Sequence, residues 1–220
     1  MTNYAKLFEK VNHDNPCDMV IIEGVVGVGK SSLLEHLVKL DFIPFREPVV
    51  DNPILDKFYY DRARYSFPLQ VFFLNKRFAH IKEAVHVTKA VMDRSIYGDA
   101  IFASMLNANQ EMEDIEFEIY QELYQNMLEH VAPPKLMVYL QVSVDEAIRR
   151  IQKRNRDYEQ IVERAYWERL NAEYEVYFSQ YNISEVLVIN VDHLDFETNE
   201  DDREYILMRI TERLQEIDSK

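Results

Sequence analysis

Hydrophobic positions along the chain come in two textures. Five short apolar runs, MVII at 19–22, FIPF at 42–45, AVM at 90–92, LMVYLQV at 136–142 and VLVINV at 186–191, are too brief for helices and read as strands buried on both faces. Between them, apolar residues recur every three to four positions over 30–40, 67–89, 95–107, 113–130, 144–154, 161–180 and 201–217, the spacing of amphipathic helices. Strands that alternate with helices must be joined by crossovers, so the pattern predicts an α/β fold: a parallel five-stranded sheet covered by helices on both faces. The stretch 95–130 is long for one crossover and is expected to form two helices, with apolar surface enough to meet a second subunit. APP at 132–134 stops a helix before a strand. No Pro/Gly/Ser-rich linker interrupts the chain, and 220 residues can bury one core, so a single domain over 1–220 is expected, with 1–17 as an N-terminal extension.

Glycine changes the picture most, because it is scarce. The chain has 4, and three of them fall between the first strand and the first helix. Gly24, Val25, Val26, Gly27, Val28, Gly29, Lys30 and Ser31 fit GxxxxGK[ST] in the strand-before, helix-after context that the motif requires. Such a loop turns successive backbone N–H groups toward phosphate oxygens at the positive end of a helix, and the candidate cradle extends through Ser32. Lys30 is placed to reach the β- and γ-phosphates and the Ser31 hydroxyl to hold Mg²⁺, which predicts a nucleoside triphosphate ligand.

Charge and composition remove alternatives. With 25 Lys plus Arg against 39 Asp plus Glu the formal net charge is −14, which disfavours nucleic acid and anionic membrane surfaces as partners. The first 18 residues lack the apolar stretch of a signal peptide and no run suits a membrane span, so a cytoplasmic protein is expected. Cys17 is the single cysteine, leaving no internal disulfide or CxxC site, and the 6 histidines show no zinc-ligand spacing. The one glycine beyond the loop, Gly98, has no DxxG around it, and NKRF at 75–78 lacks the aspartate of a guanine-reading motif. The run AVM ends in Asp93-Arg94-Ser95 rather than in the paired acids of a mechanical ATPase. A small-molecule kinase remains.

Three further features bear on that chemistry. Ligands in open α/β sheets gather at the carboxyl ends of strands, where Glu47 and Asp93 stand; such a carboxylate can take a hydroxyl proton or help hold Mg²⁺, or be a solvated loop acid. DEAIRRIQKRNR at 145–156 gathers Arg149, Arg150, Lys153, Arg154 and Arg156 on an otherwise acidic chain, which suits an arginine-rich lid. The alternative is a solvated face in which Asp145 pairs with Arg149 and Glu146 with Arg150, and it accounts for two arginines rather than for all five cations. Gln70 and Arg77 are seven residues apart on one helix face among Val71, Phe72, Phe73 and Leu74, fit to read a nucleobase edge or else to reach solvent at the helix flank.

Together these motifs resemble the deoxynucleoside kinase family, which includes deoxycytidine, deoxyguanosine and bacterial deoxyadenosine kinases. The resemblance runs from the glycine loop through Glu47-Pro48-Val49, FYYDRARYSFPLQVFFLNKR at 58–77, Asp93-Arg94-Ser95 with Asp99, and Arg150, Arg154 and Arg156 with Glu159, to DHLDF at 192–196. It implies a P-loop kinase with a lid over 150–160 that transfers the ATP γ-phosphate to a deoxynucleoside 5′-hydroxyl. By that resemblance Glu47 is the general base, Arg94 steadies it, Asp93 stands by the metal, Tyr59 and Glu159 hold the 3′-hydroxyl, and Gln70, Arg77 and Asp99 read the base. Phe72, Phe73, Phe102 and Tyr65 are aromatic walls or plain core, and the loop holding Asp195 and Phe196 meets the adenine of ATP through its backbone. Lys30, the three lid arginines and Mg²⁺ supply positive charge. VDNP at 50–53 and the Arg77–Asp99 combination look more like the bacterial purine-preferring members than the thymidine-preferring ones, with deoxycytidine left open. The family also implies a homodimer through 95–130, where Ile115, Ile119, Leu123 and Met127 share a face, or a heterodimer with a paralogue, and inhibition by the end-product triphosphate. Two other readings stand beside it. A monophosphate kinase resembling thymidylate kinase would need a basic site for the acceptor's phosphate, and a non-catalytic regulatory subunit would bind nucleotide without transfer.

Overall fold

The five apolar runs pair as β1 (Cys17–Glu23), β2 (Ile43–Phe45), β3 (Ala90–Asp93), β4 (Pro134–Gln141) and β5 (Glu185–Asn190) in a computed structural model that describes residues 4–8, 11, 16–49 and 52–220. Residues 1–3, 9, 10 and 12–15 of the expected N-terminal extension, and Val50 and Asp51 of VDNP, lie outside the described residues. The strand order is β2-β3-β1-β4-β5 and every pairing is parallel. Residues 19–23 of β1 and all four of β3 are buried, which is why those strands are apolar without alternation. The edge strand β5 does alternate, with Leu187 and Ile189 inward and Val188 outward.

The helices flanking the sheet are α1 (Ala5–Phe8), α2 (Lys30–Val38), α3 (Leu55–Tyr60), α4 (Arg62–Ala84), α5 (Asp99–Ala108), α6 (Asp114–Leu128), α7 (Val144–Arg154), α8 (Asp157–Gln160), α9 (Arg164–Gln180) and α10 (Glu200–Asp218), with a 3-10 turn at Ile96–Gly98. The stretch 95–130 divides into two helices as expected, and α6 opens on a capping box in which the Glu113 N–H donates to Glu116 Oε2 at 3.1 Å. Several boundaries differ from the periodicity: α4 ends at Ala84 rather than 89, and α5 starts at Asp99 rather than 95, after the 3-10 turn. α4 starts at Arg62 rather than 67, because Asp61 Oδ1 accepts from the Arg64 N–H at 3.2 Å and caps the helix ahead of Pro68, which lies inside it. The segment read as one helix from 161 starts at Arg164, preceded by the separate turn α8.

The connections leaving β1 and β4 run to opposite sides of the sheet. Such divergence opens a crevice at the carboxyl ends of the central strands, and the glycine loop after β1 occupies it.

Candidate active site

A cavity of about 550 Å³ opens there, bounded by the glycine loop, Glu47, α3, α4, the end of β3, residues 149–159 and the loop 194–197. Gly24, Gly27 and Gly29 all have positive φ, at 150°, 85° and 104°. At Gly29 the need is also spatial, since a Cβ would meet the Phe196 ring at 2.5 Å; at Gly27 it would meet the Ala147 carbonyl oxygen at 2.9 Å. The loop is therefore pressed against both α7 and the segment holding Asp195 and Phe196. Asp195 itself is tied down, its carboxylate accepting from the Thr198 N–H at 3.2 Å and from the Thr198 hydroxyl at 2.7 Å.

Lys30 turns back over the loop and donates to the carbonyls of Gly24 at 3.0 Å and Val25 at 2.9 Å. Burial, helped by the Arg94 charge, pushes its ammonium down to about 7, against the pull of Asp93, Glu47 and Glu23. Next to it the Ser31 hydroxyl donates to Asp93 Oδ2 at 2.6 Å, while the buried Oδ1 of Asp93 has no hydrogen-bond partner among the described residues. Burial and the Glu47 charge raise the Asp93 carboxyl.

Glu47 is the point on which two arginines converge. Arg77 Nη2 donates to its Oε1 at 2.7 Å, and Arg94 Nε lies 3.0 Å from the same oxygen; that N–H is not aimed at the carboxylate, so the second contact is an ion pair. Burial pushes the Glu47 carboxyl up, but Arg94, Arg77 and Lys30 outweigh it and hold it below the usual range. Arg77 also donates to Asp99, which is fully buried, and stacks 4.6 Å above the Phe73 ring. Gln70, one face with Arg77, is buried and lines the same cavity, so neither residue reaches solvent as a helix flank.

Tyr59 and Glu159 also line the cavity. Tyr59 stacks on Tyr158 with centroids 5.3 Å apart, and Glu159 is engaged by Arg154 Nη2 at 2.7 and 2.8 Å, with Arg156 3.6 Å away. Arg150 behaves differently from its neighbours. It donates to the carbonyls of Val28 at 2.9 Å, Val191 at 2.6 Å and Leu194 at 3.0 Å, stapling the glycine loop to the 191–194 segment. Glu146 takes both Arg149 and Arg150 at 2.6 Å, whereas Asp145 pairs with Arg164 at 2.7 Å, so the expected Asp145–Arg149 pair does not form. Asp145 is turned away toward the start of α9. Of the aromatic candidates, Phe73 and Phe102 line the cavity; Tyr65 and Phe72 do not, packing instead against the core with cations over their rings. Phe58, Tyr158 and Tyr166 also line it and were not singled out by motif. Only their place on helices that face the loop selects them.

The deoxynucleoside kinase family model matches residues 20–215. The chain is 40% identical over 210 residues to the deoxyadenosine kinase of Lactobacillus acidophilus, covering 90% of this chain and 97% of that one. It is also 40% identical over 209 residues to the deoxyguanosine kinase of the same organism, covering 90% and 92%. Among solved structures, the deoxyadenosine kinase from M. mycoides with products dCMP and a flexible dCDP bound superposes with a TM-score of 0.78 at 29% identity, covering 88% of this chain and 99% of that one. The same kinase has been solved with dATP bound. The chain belongs to the deoxynucleoside kinase family, enzymes that phosphorylate deoxynucleosides at the expense of ATP. No helix among the described residues is long and apolar enough to cross a membrane.

Proposed function

We propose that this protein transfers the γ-phosphate of ATP to the 5′-hydroxyl of a purine deoxynucleoside, deoxyadenosine or deoxyguanosine. One observation carries the reading: the Glu47 carboxylate is held by Arg94 and Arg77, which keep it below its usual range, inside the cavity that the glycine loop borders. A monophosphate acceptor would bring its own negative charge to that carboxylate, whereas a neutral nucleoside hydroxyl brings a proton for it. The names of the Lactobacillus relatives support a purine. Deoxycytidine is a second reading, favoured by the dCMP and dCDP bound to the M. mycoides kinase. Gln70 and Arg77 line the cavity and offer the base donors and an acceptor, while Asp99 is buried behind Arg77 and does not line it.

In this reading the glycine loop is a P-loop that takes the triphosphate, residues 150–160 close over it, and the whole of 1–220 works as one unit. Arg150 fixes the geometry of the loop, while Arg154 and Arg156 face the transferring phosphate. Transfer passes through a loose transition state, so positioning and charge do most of the work; the γ-phosphorus breaks its bond to the bridging oxygen, ADP leaves, and Glu47 takes the hydroxyl proton as the new O–P bond forms. Ser31 Oγ and the unpartnered Asp93 Oδ1 form an all-oxygen donor pair that suits Mg²⁺, a metal commonly held by one or two protein groups plus phosphates. When bound, it supplies charge neutralisation on the phosphates. The face of α6 carrying Ile115 and Ile119, 58% and 51% exposed, with Leu123 and Met127 beside them, supports a homodimer.

Presenting deoxyadenosine, deoxyguanosine, deoxycytidine and thymidine separately with ATP and Mg²⁺ tests the base assignment. A purine is expected to give the highest kcat/KM and thymidine a value lower by about tenfold or more. Thymidine as the best acceptor would sink it.

The buried Lys30 leads to a pH prediction. With its free-state pKa near 7, phosphate binding must restore its charge, so the complex takes up a proton above that pH and none below it. Calorimetric titration of ATP in buffers of different ionisation enthalpy at pH 8 is expected to show uptake approaching about one proton per ATP, with affinity falling as pH rises. At pH 6 the uptake from Lys30 should vanish. Equal proton counts at the two pH values would contradict it.

A further inference from the structure

Behind Arg94 lies a buried acid that the mechanism above does not use. Glu23 closes β1 and is 1% exposed. Its Oε1 accepts from the Ser95 N–H at 3.1 Å, and its Oε2 accepts from the Tyr174 hydroxyl at 3.5 Å. The same Tyr174 hydroxyl accepts from Arg94 Nη1, whereas the direct gap from Nη1 to Glu23 Oε2 is 4.0 Å, too long for a hydrogen bond. The order is therefore guanidinium to phenol to carboxylate. Space around the acid is tightly fitted: a Cβ on Gly98 would come within 2.5 Å of Glu23 Oε1. The Tyr174 ring is fixed as well, stacked 6.2 Å from Tyr139 and edge-on 6.3 Å from Phe102.

Arg94 itself is in a left-handed backbone conformation with φ 62°, its N–H donating to the Ile22 carbonyl at 3.0 Å. A non-glycine residue persists there when its surroundings over-determine it. The result is a guanidinium gripped on two sides, with Nε toward Glu47 and Nη1 toward Tyr174 and Glu23. Arg77 has the same arrangement, with Nη2 on Glu47 and Nη1 on Asp99. Each arginine that faces Glu47 thus has a second acid of its own behind it.

We infer that Glu23 and Tyr174 are positioning residues for phosphate transfer: the Tyr174 hydroxyl links Arg94 to Glu23, so that Arg94 stays against Glu47 both before and after Glu47 takes the substrate proton. When Glu47 is neutralised, Arg77 keeps Asp99 and Arg94 keeps Glu23. Burial raises the Glu23 carboxyl against the pull of Arg94, Arg77 and Lys30; without the phenol, Arg94 faces that acid 4.0 Å behind it and retracts toward Glu23, away from Glu47. The inference rests on the reading of Glu47 as the base. The groups facing Glu47 are Arg94, Asp93 from β3, Arg77 from α4, Lys30 from α2 and Tyr174 from α9. Weakening the Arg94 contact raises the Glu47 pKa, and because the base must be ionised, the acid limb of kcat against pH moves to higher pH.

Tyr174→Phe keeps the ring contacts and removes the hydroxyl; Glu23→Gln keeps an oxygen for the Ser95 N–H and removes the acid. For Tyr174→Phe, kcat is expected to fall by about tenfold, with the KM for the deoxynucleoside changing less than about threefold and the acid limb shifted upward. Glu23→Gln should move both readouts the same way. A purely structural role predicts a lower melting temperature with kcat per folded molecule and the acid limb unchanged, and that result in Tyr174→Phe overturns the inference even if Glu23→Gln does not fold. Wild type that phosphorylates no deoxynucleoside overturns the kinase reading and this inference together. Active wild type matched by Tyr174→Phe overturns the inference alone.

Discussion

Replacing Glu47 by glutamine is expected to lower turnover by about 10²-fold or more while leaving deoxynucleoside binding nearly intact. The amide keeps the shape of the side chain and one oxygen for Arg77, which donates to Glu47 Oε1 at 2.7 Å. It loses the ability to accept a proton. Arg94 and Arg77 are not stranded by the change, because Tyr174 with Glu23 and Asp99 remain as their other partners. The loss therefore falls on kcat rather than on folding. Single-turnover transfer, with nucleoside affinity measured by titration on the same samples, separates the two; turnover within about threefold of wild type would remove Glu47 from the role of base.

Asp99→Ala is expected to damage stability and base recognition together. Asp99 is fully buried and pairs with Arg77, whose side chain is 5% exposed. Removing one member of a buried pair leaves an uncompensated charge, typically at a cost of about 3–5 kcal/mol. Arg77 retains Glu47, so the lower end applies, and for a chain of this size about 3 kcal/mol corresponds to a melting temperature lower by about 6–12 °C. Scanning calorimetry checks that figure. The kcat/KM for the preferred nucleoside should drop as well, since Arg77, which lines the pocket, loses the acid that holds it. A variant as stable as wild type with unchanged nucleoside preference would show that the pair neither supports the fold nor reads the base.

Much of this arrangement is written locally in the chain. Buried parallel strands leave apolar runs that need no alternation, and a glycine-poor sequence that clusters its glycines between strand and helix marks the loop. The seven-residue spacing of Gln70 and Arg77 places both on one helix face, and both do face the cavity. What periodicity does not carry is which distant groups meet. Glu47 and Arg77 are joined by tertiary packing across a loop and two helices, and Arg150 is spent on three backbone carbonyls that no spacing rule announces. The start of α4 was obscured because Pro68 looks like a first-turn residue when the Asp61 cap is not seen. Glu23 and Tyr174 read as a strand end and one of several helix aromatics until the fold lines them up behind Arg94 Nη1.

Comparing deoxyadenosine with deoxyadenosine 5′-monophosphate as acceptors, with ATP and Mg²⁺ supplied and the products weighed by mass spectrometry, decides whether the acceptor is a nucleoside. Rapid conversion of deoxyadenosine to its monophosphate is expected, with negligible conversion of the monophosphate to the diphosphate. Phosphorylation of the monophosphate with deoxyadenosine left untouched would contradict it.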